Sequence, residues 1–88
     1  MKNKVVIITG GSSGIGKALA YEFGSKGSKV VITGRKKEAL LKTSQELDAA
    51  GIENIFIVAD VANRIENELV INQTLTKFGQ KSNYKVRS

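Results

Sequence analysis

Residues 4–16 read K-V-V-I-I-T-G-G-S-S-G-I-G, and the remainder of the 88-residue chain is arranged around this stretch. Val5 to Ile8 is a short apolar run of β-branched residues, the mark of a buried strand. Gly10, Gly11, Gly14 and Gly16 then crowd into seven residues. From Gly14 onward, Ile15, Ala18, Leu19 and Phe23 fall at helical spacing. The order is therefore strand, glycine-rich turn, helix. It leaves unpaired backbone N–H groups, and the positive end of a helix dipole, at the carboxyl edge of the strand. A phosphate is the natural guest there.

Outward from this unit, the same alternation repeats. The first helix is predicted over Gly14 to Lys26, with Gly24 weakening its last turn and Gly27 free to take a left-handed cap. Lys29 to Thr33 is a second β-branched run. Gly34-Arg35 turns into a helix over Lys36 to Ala50, where Leu40, Leu47 and Ala50 share a face with Leu41 beside it, and Gly51 closes it. Ile55 to Val58 is a third strand, ending at Ala59-Asp60-Val61. Asn63 is an N-cap and Glu66, three residues on, completes a capping box. The helix it opens carries Ile65, Leu69, Ile71, Leu75 and Phe78 to about Gly79. Gln80 to Ser88 has no periodicity. Strand-helix alternation at this spacing implies a parallel sheet with right-handed crossovers.

Composition removes several function classes. The chain has no Cys and no His, so it offers neither a thiolate metal site nor the commonest general base. No apolar run approaches membrane-spanning length, and the four apolar residues after Lys4 are too few for a signal peptide. A cytoplasmic location is the expectation. Fourteen basic residues against eight acidic give a net charge of +6. Lys77, Lys81, Lys85 and Arg87 lie in the last twelve residues, leaving ten basic against eight acidic over residues 1–76. No aromatic stacking platform or nucleic-acid motif accompanies this basic end, which reads as a solvated terminus.

Thr9 to Gly16, T-G-G-S-S-G-I-G, resembles the cofactor-binding motif of the short-chain dehydrogenase/reductase family. The spacing is G-x-x-x-G-x-G, not G-x-G-x-x-G. The resemblance covers Lys2 to about Gln80, the first third of a typical member of roughly 250 residues. It implies a Rossmann-type, doubly wound α/β sheet with strand order 3-2-1. The first two helices would lie on one face and the third on the other. On this reading residues 1–80 are the NAD(P)-binding portion, truncated after three β-α units with no fourth strand. Residues 81–88 are a basic, unstructured tail that departs from the family. The first strand, central in the full fold, then becomes an edge, and an exposed sheet edge invites self-association.

The resemblance also implies site residues. Gly10, Gly14 and Gly16 form the turn. Ser12 and Ser13 face the adenosine ribose and its phosphate, although Ser also simply suits a turn. Ile15 offers its N–H to the pyrophosphate. At the end of the second strand an NAD-selective enzyme carries an acid for the ribose 2′-hydroxyl. Gly34 stands there instead, followed by Arg35 and Lys36. A guanidinium can grip a 2′-phosphate bidentately, so the pattern points to NADP in preference to NAD. Asp60 would hold the adenine amino group, and the backbone of Val61 would meet the ring. Asp60 also suits a turn before a helix.

The family's catalytic centre is a Tyr-x-x-x-Lys pair with a Ser and an Asn, and this sequence does not carry the pair. Tyr21 is followed four residues on by Ser25, and Tyr84 by Ser88. The parent activity implied is hydride transfer between NADPH and a carbonyl or alcohol, with the catalytic residues lacking here. The alternatives are a non-catalytic nucleotide-binding or interaction module, and a P-loop NTPase. For the last, Gly11 to Ala18 is one residue short of the motif, and Ala18 has no hydroxyl for magnesium.

Overall fold

A computed structural model describes residues 4–11, 14–60 and 62–79, together with the backbone of 84–87. Four strands, β1 (Val5–Thr9), β2 (Lys29–Gly34), β3 (Asn54–Val58) and β4 (Tyr84–Arg87), alternate with three helices, α1 (Gly14–Ser25), α2 (Lys37–Ala49) and α3 (Arg64–Phe78). The strands form one sheet in the order β3-β2-β1-β4, and every pairing is parallel. The 3-2-1 order is as expected, but a fourth strand is present. The tail thus differs from the unstructured end read from the sequence. Four residues carry no legible period, yet the open side of β1 presents a row of N–H and C=O groups that a short segment can satisfy. β1 is consequently flanked on both sides, and the sheet edges are β3 and β4.

The two-residue period of the strands sorts their side chains onto two faces. Val6, Ile8, Val30 and Ile32 pack with Ala20 of α1 and with Leu40 and Leu47 of α2. Val5, Ile7, Val31 and Ile57 pack on the other face with Val70 and Phe78 of α3. The sheet is therefore covered on both sides, which is why its strands read as continuous apolar runs. Leu40 and Leu47 are fully buried, each contributing about 1.5–3 kcal/mol of apolar burial.

The buried row of α2 is Leu40, Thr43, Ser44 and Leu47, while Leu41 and Ala50 face solvent. The two hydroxyls are satisfied: Thr43 donates to the Ala39 carbonyl at 3.0 Å and Ser44 to Asn54 Oδ1 at 2.5 Å. In α3 the buried row is Val70, Thr74 and Phe78, four residues apart, whereas Ile65, Leu69 and Ile71 are exposed. Thr74 can be buried because its hydroxyl donates to the Val70 carbonyl at 2.7 Å. Lys29 Nζ stands 5.6 Å from the centroid of the Phe78 ring, closing the lower end of this face.

The helix ends follow the sequence with one change. Gly27 is left-handed at φ 90°, as the cap requires. Asn63 Oδ1 accepts from the N–H groups of Ile65 and Glu66 at 3.0 and 3.2 Å. Glu66 does not complete the box on Asn63, whose N–H donates instead to the Asp60 carbonyl at 2.9 Å. Its carboxylate reaches further back and accepts from the Asp60 N–H at 3.0 Å.

Candidate dinucleotide site

Three strands end on the same edge of the sheet, and the residues singled out from the sequence follow those ends. Thr9-Gly10 leaves β1, Gly34-Arg35 leaves β2 and Ala59-Asp60 leaves β3. The register keeps the ends level, with Thr9 paired to Thr33 and Gly34 to Val58. The turn after β1 is pinned to β2: the N–H groups of Gly10 and Gly11 both donate to the Thr33 carbonyl, at 2.9 and 3.1 Å. Gly10 sits at φ 71°, which an L side chain rarely adopts.

The glycines of the turn differ in what they do. A Cβ on Gly16 would fall 2.3 Å from the Gly10 carbonyl oxygen and 2.9 Å from Gly11 Cα. Gly16 is therefore needed for the close approach of α1 to the turn. A Cβ on Gly14 would meet nothing within 4 Å. Nothing within the described chain requires a glycine at that position. It opens α1 beside Ile15, which is 68% exposed. The first N–H groups of a helix have no partner within it. An open approach to such groups fits an anionic guest drawn close to the backbone. Ser12, Ser13 and Val61 lie outside the described residues.

On the β2 side, Arg35, Lys36 and Lys37 are exposed. Lys36 and Lys37 line an open concavity with Glu38 and Ala39 at the start of α2. Among the described residues, Arg35 and Lys36 make no ion pair, and Lys36 at the N-cap makes no side-chain cap bond. On the β3 side, Asp60 is half-buried, and its Oδ1 accepts from the Ala62 N–H at 3.0 Å. The turn role is thus real, and it engages one carboxylate oxygen.

Two features escaped the sequence. Lys17, one residue past the turn, forms an ion pair with Glu46 of α2. The hydrogen bond to Glu46 holds its ammonium above the usual lysine range, with burial acting in the opposite sense. Lys17 is thereby drawn toward α2, away from the role a P-loop lysine would need. Only the partner on a distant helix identifies this, and no local pattern does. The second is Thr33, fully buried, whose hydroxyl has no partner among the described residues.

A family model for short chain dehydrogenases matches residues 4–81. The chain belongs to the short-chain dehydrogenase family. It is 42% identical over 80 residues to an uncharacterised oxidoreductase of Listeria monocytogenes, covering 91% of this chain and 32% of that one. The fold matches the apo form of LigD from Sphingobium sp. strain SYK-6 with a TM-score of 0.93 at 33% identity, covering 96% of this chain and 36% of that one. It also matches an F189W actinorhodin polyketide ketoreductase solved with NADPH, with a TM-score of 0.91 at 30% identity, covering 97% of this chain and 32% of that one. The chain spans about a third of the length of these relatives. The Rossmann-type sheet is thus that of an oxidoreductase family that binds NAD(P). Among the described residues no helix is long and apolar enough to cross a membrane, and no cluster of acidic side chains could hold a metal ion.

Proposed function

We propose that residues 1–80 are the NADP(H)-binding amino-terminal portion of a short-chain dehydrogenase/reductase. The parent reaction is hydride transfer between NADPH and a carbonyl or alcohol. The observation that carries the choice of NADP is Gly34 followed by Arg35 at the carboxyl end of β2, with Arg35 exposed and free of any ion pair among the described residues. A carboxylate at position 34 would accept from a ribose 2′-hydroxyl and repel a 2′-phosphate, whereas a guanidinium does the reverse. Gly10, Ser12, Ser13, Gly14, Ile15 and Gly16 hold the phosphates and the adenosine ribose. Arg35 and Lys36 take the 2′-phosphate, and Asp60 with Val61 takes the adenine. When bound, the cofactor supplies the hydride, and these residues only hold and orient its adenosine half.

The chain alone does not turn over substrate on this reading. An alkoxide formed by hydride transfer needs a proton donor within hydrogen-bond reach, and neither tyrosine has a lysine four residues on. That same fact supports a second reading, a nucleotide-binding or interaction module without catalysis, in which an open sheet edge gives self-association. The location proposed is cytoplasmic.

Calorimetric titration with NADP and NAD tests the cofactor assignment. NADP binds more tightly to the unaltered chain, and Gly34→Asp combined with Arg35→Ile reverses the order. The double variant should fold, because a Cβ at position 34 meets only the side chain of Leu40, Cδ2 at 3.4 Å and Cδ1 and Cγ at 3.7 Å. Equal affinity of the unaltered chain for both cofactors overturns the assignment.

A further inference from the structure

β3 is an outer strand of the sheet, paired with β2 on its inner side. The Val30 N–H donates to the Glu53 carbonyl at 3.0 Å, and the Ala59 N–H to the Gly34 carbonyl at 2.9 Å. The backbone groups of a parallel ladder alternate sides with a two-residue period. Glu53, Ile55, Ile57 and Ala59 therefore turn theirs to β2, and Asn54, Phe56 and Val58 turn theirs outward. Among the described residues no strand pairs with that outer side. Exposed edges are usually blunted by a charge, a proline or a bulge. Asn54–Val58 contains no charged residue and no proline, and its register against β2 is unbroken. The other edge differs, since β4 carries Lys85 and Arg87 among its four residues. Apolar side chains gather at the β3 edge. Leu41, Val58, Ile65 and Leu69, four of the six large apolar side chains exposed among the described residues, flank it. Leu41 lies on the row of α2 that continues through Ser44 and Asp48, and both of those bond the side chain of Asn54. Leu69 lies on the row of α3 that continues through Gln73 and Thr76, which line an open concavity with Ile55, Phe56 and Lys77. Ile65 stands one turn before Leu69.

We infer that a second copy of this chain docks on this edge, β3 against β3 in antiparallel order, about a two-fold axis through Phe56. The inference rests on the self-association of the second reading above and gives it an edge and a partner. Run antiparallel, the strand is complementary to itself. Phe56 meets Phe56 of the second copy, Asn54 meets Val58, and Ile55 meets Ile57. Outward residues fall opposite outward residues, so each such pair exchanges both its N–H···O bonds. On the α3 face the Ile55–Ile57 pairs put apolar side chains opposite each other. The charges fit the same arrangement. α3 runs against β3, so Lys77 lines the concavity beside Ile55 near the start of the strand, whereas Glu66 accepts from the Asp60 N–H just past its end. Glu66 and Lys77 share the side of α3 that carries Gln73. An antiparallel second copy sets Lys77 toward Glu66 across the axis, and Glu66 toward Lys77. Each copy uses the same edge, so the contact closes at a dimer.

Analytical ultracentrifugation of the full chain over a range of concentrations tests this, and shows monomer and dimer with no larger species. Val58→Lys on the strand and Leu69→Lys on α3 each weaken the dimer by about tenfold or more. Either variant carries the test if circular dichroism shows that the other does not fold. Ile71→Lys, exposed on the flank of α3 turned away from the concavity, changes the dimer constant by less than about twofold. Amide exchange followed by NMR slows at Phe56 and Val58 as concentration rises, more than at Ile55 and Ile57, which already face β2. A dimer indifferent to both edge variants, equal weakening by Ile71→Lys, growth into larger oligomers, or unchanged exchange at Phe56 and Val58 each overturn this edge assignment and leave self-association standing. A chain that stays monomeric at every concentration overturns self-association itself, and this inference with it.

Discussion

Gly14→Ala and Gly16→Ala, two substitutions in the same turn of α1, should have opposite effects on stability and separate folding from binding. At Gly16 the new methyl would lie 2.3 Å from the Gly10 carbonyl oxygen, with backbone atoms on both sides of the contact. No flexible side chain can give way, so α1 or the turn must move. Overpacking of this kind costs about 1–3 kcal/mol, only partly offset by the better helix propensity of alanine, about 1 kcal/mol. At Gly14 the methyl meets nothing within 4 Å. Replacement there reduces the freedom of the unfolded chain and stabilises by about 0.4–1 kcal/mol. For a domain of this size that raises Tm by roughly 2–8 °C. The same methyl would stand where a phosphate approaches the N–H groups, so NADP affinity should fall by about tenfold or more. Thermal melts by circular dichroism read the first quantity, and calorimetry reads the second. A lower Tm for Gly14→Ala, or NADP binding undiminished by it, would refute the view that this glycine is there for a guest and not for the fold.

Thr33→Val should raise stability by about 1 kcal/mol, because the buried hydroxyl of Thr33 has no partner among the described residues and its removal relieves a desolvated polar group; a lowered denaturation midpoint in urea would show that reasoning to be wrong. The Lys17–Glu46 pair should give a specific alkaline signature. Lys17 is raised from its usual 10.5, so its contribution is fully present below that pH and is lost as pH climbs through the higher folded value. In melts from pH 9 upward, Lys17→Met should lack this component of the decline, and parallel loss of stability in both proteins would exclude it.

Much of the fold was legible because it depends on local chemistry. The β-branched runs at Val5–Ile8 and Lys29–Thr33 can form little other than buried strands. Asn63 caps α3 from within its own first turn. The glycine turn was legible for the same reason, since backbone freedom is written into the residue type. The faces of the helices were less so. Periodicity places Ile65 and Leu69 on α3 without saying which row of side chains meets the sheet. That row is Val70, Thr74 and Phe78, chosen by contact with Val31 and Ile57, and a threonine can join it once its hydroxyl bonds the helix backbone.

By itself, then, the sequence determined the alternation of strands and helices, the glycine-rich turn between β1 and α1 and the basic residue after β2, all properties of neighbours along the chain. Tertiary structure alone decided the rest. Y-K-V-R has no pattern of its own and becomes β4 because β1 offers it a ladder of backbone groups. Lys17 could not be matched to Glu46, nor Thr33 seen to lack a partner, until helices and strands distant in sequence were brought together. The register of β4 against β1 has the same origin, backbone pairing between residues far apart in the chain.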